Sequence, residues 1–196
     1  FLDKKYGAIS FVHEEQEKLW KEKGFTGAYF TLPIGARDVA NIPPPARPTL
    51  GYFCREVGKK KRSRLFADAV KVAREQIDFD VLMIGQNLKH IARLGKYEKR
   101  GATPEDYPRI TAFMTTSVSQ MVPLSAYEAL AGGRPVVSTP RIWPTKHHWD
   151  NIFTGGNAEE LGNAIVQALS AGGCEPFSPY RREDWAKEQV KMAAGL

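Results

Sequence analysis

The sequence has few cysteines, no long apolar run and no internal repeat, and each absence excludes a class of protein. Cys54 and Cys174 belong to no CxxC or Cys/His ligand spacing, which fits ordinary thiols in a reducing compartment, with a single disulfide as the alternative. His147 and His148 are adjacent and offer no histidine pair on one helix face, so with Asp150 nearby we still expect no metal. No apolar stretch approaches the ~20 residues that span a bilayer. We expect no secretory leader and a cytoplasmic location.

The positive charge of the chain is concentrated in one short stretch. The net charge is +6 over 196 residues, and six of the 28 lysines and arginines fall between positions 55 and 64. They are Arg55, Lys59, Lys60, Lys61, Arg62 and Arg64. Such a cluster predicts an anionic partner, which is a diphosphate, a nucleic-acid backbone or an acidic membrane surface. A solvated helix start is the alternative.

Apolar strand patterns alternate with amphipathic helix patterns along most of the chain. We predict a strand–helix–strand unit within residues 1–42, a stiff proline-rich linker at 43–48 and a terminal helix within 174–196. Between them, the alternation over residues 49–173 predicts an α/β domain with a Rossmann-like parallel sheet flanked by helices. Within that domain we predict a helix at residues 88–98.

One acidic residue stands alone in an apolar setting. Glu128 is the only charged residue between Arg109 and Arg134, and the stretch around it predicts a buried helix. A carboxylate in such surroundings is costly unless it is paired or hydrogen-bonded. Two interpretations follow: an internal salt bridge or helix-cap contact, or a site that accepts hydrogen bonds from ligand hydroxyls such as a ribose diol.

The segment around Glu128 resembles a known signature. Within residues 119–139, SQMVPLSAYEALAGGRPVVST, the stretch from Gln120 onward resembles without a gap the glycosyltransferase family 4 pattern E-G-F-P-L-S-x-x-E-A-M-A-x-G-x-P-V-V-A-T. The resemblance implies the donor-binding C-terminal half of a GT-B fold, and residues 1–42 are similar to the tail of the acceptor-binding first domain. Residues 174–196 are similar to the helix that crosses back to that domain.

The resemblance assigns the nucleotide-binding residues by position. It implies that Glu128 holds the ribose of the nucleotide. It also implies that Arg55, with Lys60 or preferably Lys61, neutralises the donor diphosphate. Fixed cations there would stabilise the leaving nucleoside diphosphate without a metal.

Two further positions carry the remaining site assignments. Gln120 stands where the family has its first glutamate, beside the donor sugar, and keeps hydrogen-bonding capacity without the charge. We name Gln120 as the catalytic candidate. The backbone N–H groups of Val122, Leu124 and Ser125 lie near a predicted helix start and could add to the anion site.

The resemblance implies a retaining, metal-independent transferase that needs no cofactor. Its donor would be a UDP-sugar or GDP-sugar, and its acceptor a glycan, a lipid or a protein. The acceptor domain would come from another part of the chain or from a second subunit. The alternatives are a sugar-nucleotide epimerase and a non-catalytic module that binds a nucleotide sugar or nucleic acid. Nucleic acid is not the expected partner, because aromatic residues do not interleave with the cations. Peripheral membrane contact is compatible with the cationic stretch.

Overall fold

The computed structural model describes most of the chain. The described residues are 8–11, 14–24, 26, 28–31, 37–55, 62–117, 124–140, 150–176 and 182–194.

The N-terminal unit is a small parallel strand pair with one helix. Strand β1 covers Ala8–Phe11, helix α1 covers Glu14–Glu22 and strand β2 covers Ala28–Thr31. The two strands pair in parallel, with Ala8 opposite Ala28. A parallel pair requires a crossover connection, and α1 provides it.

The main body is a six-stranded, all-parallel sheet. Its strands are β3 (Thr49–Arg55), β4 (Asp80–Gln86), β5 (Lys96–Glu98), β6 (Ala112–Thr115), β7 (Val136–Ser138) and β8 (Ile152–Thr154). Their spatial order is β5-β4-β3-β6-β7-β8. The chain therefore moves outward from β3 to β5, then returns to the other side of β3 to lay down β6.

Helices follow the strands along the chain, and several of them pack against the sheet. The α-helices are α2 (Ser63–Arg74), α3 (Leu124–Ala131), α4 (Ala158–Ala171) and α5 (Arg182–Ala193). Two 3₁₀ helices cover Lys89–Leu94 and Pro104–Arg109. Asn157 caps the start of helix α4, because its side-chain oxygen accepts from the backbone N–H of Glu160 at 2.9 Å.

Two apolar clusters lie on opposite faces of the sheet. One packs α2 and α4 against alternate strand residues such as Tyr52 and Met83. The other packs α3 and the second 3₁₀ helix against the intervening residues, among them Phe53 and Ile84. Both faces of a parallel sheet are thus buried, as expected for this architecture. The predicted α/β class, with its Rossmann-like parallel sheet, is confirmed.

The predicted helix at residues 88–98 is wrong. The segment forms a 3₁₀ helix that ends at Leu94, then strand β5, which pairs with β4. Gly95 explains the change, because a Cβ at this position would lie 2.3 Å from the carbonyl oxygen of Val81. The chain passes so close to β4 here that it continues as a neighbouring strand.

Candidate functional site

A cleft of about 380 Å³ opens where the strands of the sheet end. It is lined by residues from the ends of β3 and β4 (Phe53, Cys54, Ile84, Gly85, Gln86), from α3 (Leu124, Ser125, Glu128), and by Arg37, Arg100, Gly101, Ala102 and Tyr107. The strand order reverses between β3 and β6, directly beside it. Open α/β sheets bind their ligands at this point, outside the carboxyl ends of the strands.

Glycine at position 85 allows β3 and β4 to stay paired where they meet the cleft. Its φ is +157°, and a Cβ there would lie 1.7 Å from the carbonyl oxygen of Cys54 on β3. Any side chain would force the two strands apart. The absence of a side chain at Gly85 therefore preserves both the pairing and the open space above it.

Glu128 lies at the cleft and is almost completely buried. The residue is 1% exposed, on the helix α3 that the sequence predicted as buried. Its Oε1 accepts a hydrogen bond from Arg37 Nε. Its Oε2 accepts from Arg37 Nη2 at 2.9 Å and from the Tyr107 hydroxyl at 2.7 Å. We call these three residues the cleft cluster.

The ionisation of the cleft cluster follows from this geometry. The hydrogen bond to Glu128 raises the pKa of Arg37, so the guanidinium stays charged. Burial, and then the charge of Glu128, raise the pKa of Tyr107 far above its ordinary value. Tyr107 therefore remains a hydrogen-bond donor, and Glu128 accepts from one cation and one neutral hydroxyl.

Arg134 holds the backbone around the cleft cluster. It is 1% exposed, its Nε donates to the carbonyl of Tyr107 at 3.0 Å, and its Nη2 donates to the carbonyl of Ile42 at 2.5 Å. Burial lowers the pKa of Arg134. One side chain thus ties the 3₁₀ helix that carries Tyr107 to the segment that carries Arg37.

A second group of arginines and carboxylates lies beside the cleft. Arg100 lines the cleft and donates to Asp106 at 2.6 and 2.7 Å and to Glu98 at 2.6 and 3.0 Å. Arg109 donates to the same two carboxylates at 2.7 and 2.5 Å. Asp106 also accepts from the backbone N–H of Thr103 at 2.9 Å. We call Glu98, Arg100, Asp106 and Arg109 the rim network, because it fixes the loop at the edge of the cleft.

Three of the eight predicted site residues, Leu124, Ser125 and Glu128, line the cleft. The backbone of Arg55 ends β3, opposite Gln86 of β4. Four predicted residues lie outside the described part of the chain: Lys60, Lys61, Gln120 and Val122.

Sequence reasoning missed the partners of Glu128. Arg37 and Tyr107 lie 91 and 21 residues away from it along the chain. The available signal was general: a lone buried carboxylate needs a cation or a donor. The two interpretations of Glu128 were posed as alternatives, yet the residue both forms an ion pair and lines a cleft.

Metal and membrane features were also sought in the described residues. Among them, no group of three or more His, Cys, Asp or Glu side chains could hold a metal ion. His147 and His148 lie outside that part of the chain. No helix within the described ranges is both long and apolar enough to cross a bilayer. Cys54 and Cys174 are not joined in a disulfide.

The parallel sheet, its strand order and the cleft beside its switch point define a Rossmann-like domain of the kind found in GT-B proteins. Residues 47–171, more than half of the chain, match the family described as glycosyl transferases group 1, and the chain belongs to that family. Assignment to glycosyltransferase family 4 in particular stays a prediction. No curated protein matches the sequence.

Solved structures share this fold at low sequence identity. The pneumococcal O-GlcNAc transferase GtfA, solved with UDP and GlcNAc, is 10% identical with a TM-score of 0.72, covering 98% of this chain and 46% of that one. HepE from Anabaena, solved with UDP and glucose, is 12% identical with a TM-score of 0.70, covering 97% and 63%. A GtfA/B complex is 14% identical with a TM-score of 0.60, covering 98% and 46%.

These similarities establish the GT-B fold. The chain spans about half the length of the first of these structures, 46% of the pneumococcal transferase.

Proposed function

We propose that the cleft binds a nucleoside diphosphate sugar and that this chain supplies the donor half of a retaining, metal-independent glycosyltransferase. The observation that carries the proposal is Glu128: a buried carboxylate on α3 that lines a cleft at the carboxyl ends of β3 and β4. The chain's membership of the group 1 family supports the same conclusion.

Glu128 suits the ribose of the nucleotide. A carboxylate accepts hydrogen bonds and donates none, so it favours a ligand that presents hydroxyl donors. In a site with little water these charge-assisted hydrogen bonds are about twice as strong as neutral ones. Acidic residues hold the ribose hydroxyls in other nucleotide-binding folds of this type.

The diphosphate would lie toward the cationic stretch. Strand β3 ends at Arg55, and Cys54, the residue before it, lines the cleft. The sequence places Lys60 and Lys61 in the connection from β3 to α2, which begins at Ser63. Cations at the mouth of the sheet would neutralise the charge that a leaving nucleoside diphosphate gains as the glycosidic bond breaks. The backbone N–H groups of Leu124 and Ser125 would add to this site.

We propose UDP as the nucleotide of the donor. Two structural relatives were solved with UDP, the pneumococcal transferase and Anabaena HepE. The acceptor site would lie in a first domain supplied by another part of the chain or by a second subunit. The GtfA/B complex, in which two proteins associate, supports the second arrangement.

The test is calorimetric titration of the full chain with UDP. Glu128→Gln keeps the shape of the side chain and removes its charge. We expect it to weaken UDP binding by about 10-fold or more, the value of a hydrogen bond to a charged group. Glu159→Ala, an exposed carboxylate of α4, is the matched control and should bind UDP like the parent. Equal affinity of the parent and Glu128→Gln would refute the assignment.

A non-catalytic binding module is the second candidate, and Gln120 favours it. The family has a glutamate at this position, so the chain lacks a charge that the resemblance places beside the donor sugar. Transfer or hydrolysis of a UDP-sugar by the parent chain would support the transferase. If only Gln120→Glu turns over the donor while both proteins bind UDP equally, the natural chain is a binding module.

A further inference from the structure

The acceptor positions of Glu128 are nearly all occupied. A carboxylate offers about four such positions, two on each oxygen. On Oε2, Arg37 Nη2 and the Tyr107 hydroxyl fill both. On Oε1, Arg37 Nε fills one. Within the described part of the chain no other group donates to Glu128, so a single acceptor position on Oε1 is left for a ligand.

Separating Arg37 from Glu128 would cost free energy. The Glu128 side chain is 2% exposed, and the departure of its cation would leave a buried charge without compensation. A neutral hydroxyl of a ligand replaces only part of a charged, two-point contact. Electrostatics therefore favour a ligand that adds to the pair over one that displaces Arg37.

The backbone of Arg37 is also held in place. Val39 packs so closely on Gly132, just after α3, that a Cβ on the glycine would lie 2.5 Å from Val39 Cγ1. Three residues further along, the carbonyl of Ile42 accepts from the buried Arg134 at 2.5 Å. Residues 37–42 are thus attached to the same part of the domain as α3, which keeps the guanidinium beside Glu128.

We propose that Arg37 stays on Glu128 when the nucleotide binds and restricts Glu128 to one ribose hydroxyl. Arg37 is then a specificity-determining residue, because it decides how many hydroxyls of the sugar Glu128 recognises. The inference rests on the proposed function. A free carboxylate would take both hydroxyls of the vicinal diol, one on each oxygen, and would reject analogues that lack either of them.

The test compares UDP with its 2′-deoxy and 3′-deoxy analogues by calorimetry on the full chain. In the parent we expect the loss of one of the two hydroxyls to weaken binding about 10-fold or more, the value of a hydrogen bond to a charged group. Loss of the other hydroxyl should change the affinity less than about 3-fold, since Glu128 has no position left for it.

Arg37→Lys keeps the positive charge but lacks the planar two-point contact, so it frees an acceptor position on Glu128. We expect both deoxy analogues to bind this variant more weakly than UDP. Arg47→Lys is the matched control, because Arg47 donates to both oxygens of the exposed Asp78 at 3.2 and 3.0 Å. Arg47→Lys should bind UDP and its two deoxy analogues with the same relative affinities as the parent.

The outcomes separate this inference from the proposed function. A parent that binds UDP and loses affinity for both analogues overturns the role of Arg37 and leaves the ribose assignment intact. A parent that binds UDP and both analogues equally overturns both ideas, and so does a parent that binds no UDP. Comparing the affinities of the parent for UDP and its two deoxy analogues tests the proposal even if Arg37→Lys folds poorly.

Discussion

The cleft cluster and the rim network both pair arginines with carboxylates, yet they differ in how many acceptor positions their carboxylates leave unoccupied. Asp106 of the rim network accepts from Arg100, Arg109 and the backbone of Thr103, so its acceptor positions are filled. Glu128 of the cleft cluster has three donors among the described residues and retains one position. Both residues are 2% exposed or less. We expect unused hydrogen-bonding capacity beside a cavity, more than burial, to distinguish a binding carboxylate from a structural one.

The comparison predicts that changes in the rim network affect stability, whereas changes in the cleft cluster affect ligand binding as well as stability. The predictions below run from the largest expected effect to the smallest.

Asp106→Ala should cause the largest loss of stability. The substitution removes the carboxylate that holds two arginines and caps the 3₁₀ helix from Pro104 to Arg109. Breaking a fully buried pair costs about 3–5 kcal/mol, and the side chains of Arg100 and Arg109 are 39% and 34% exposed here, so we expect a loss toward the lower end of that range. Urea unfolding of the variant and the parent measures the difference. A loss below about 1 kcal/mol would show that the network does not hold the rim.

Tyr107→Phe should have a smaller effect, which depends on Glu128. The ring packs against Phe53 and Phe113 and would stay in place, while Glu128 loses one hydrogen bond. We expect a loss of about 1.5–3 kcal/mol in the free energy of unfolding. In a double-mutant cycle, Tyr107→Phe should cause a smaller loss in the free energy of unfolding when Glu128→Gln is also present. Fully additive effects would mean that the hydroxyl stabilises the protein through another contact.

Glu98→Gln should change how the free energy of unfolding depends on pH in the acid range. Hydrogen bonds from Arg109, then Arg100 and Lys96, lower the pKa of Glu98 to about 2 from its ordinary value of 4.5. A lowered carboxyl pKa contributes stability above pH 4.5, and that contribution disappears as the pH falls toward 2. The parent should lose stability through this window, and Glu98→Gln should lose less. Denaturant unfolding at several pH values measures the slope, and identical slopes would contradict the prediction.

Arg47→Ala should have the smallest effect. Arg47 forms ion pairs with Asp78 and Asp80, and all three side chains are more than half exposed. Exposed pairs contribute about 0–1 kcal/mol, so the midpoint of urea unfolding should barely move. A loss above about 2 kcal/mol would mean that bidentate geometry matters even in water.

The sequence predicted the features that depend on local pattern. The alternation of strands and helices was enough for the parallel sheet, and a single charge in an apolar helix was enough to select Glu128. Strand β8 was not predicted, because its three residues are too few to show a periodicity. The segment at residues 88–98 was assigned to the wrong element, since Gly95 is constrained by the neighbouring strand β4.

The partner of Glu128 could not be predicted in the same way. The contact with Arg37 joins residues 91 positions apart, and it exists only because α3 and the segment before β3 meet in the folded domain. Nothing in the local pattern around Arg37 indicates this contact. The number of acceptor positions that remain unoccupied on a carboxylate therefore depends on the folded structure, not on the local sequence.

A crystal structure of the full chain with UDP would test the central claim most directly. We expect a ribose hydroxyl within hydrogen-bond distance, about 3 Å, of Glu128 Oε1, with Arg37 still bound to the carboxylate. A nucleotide bound elsewhere, or a ribose that makes no contact with Glu128, would contradict the account.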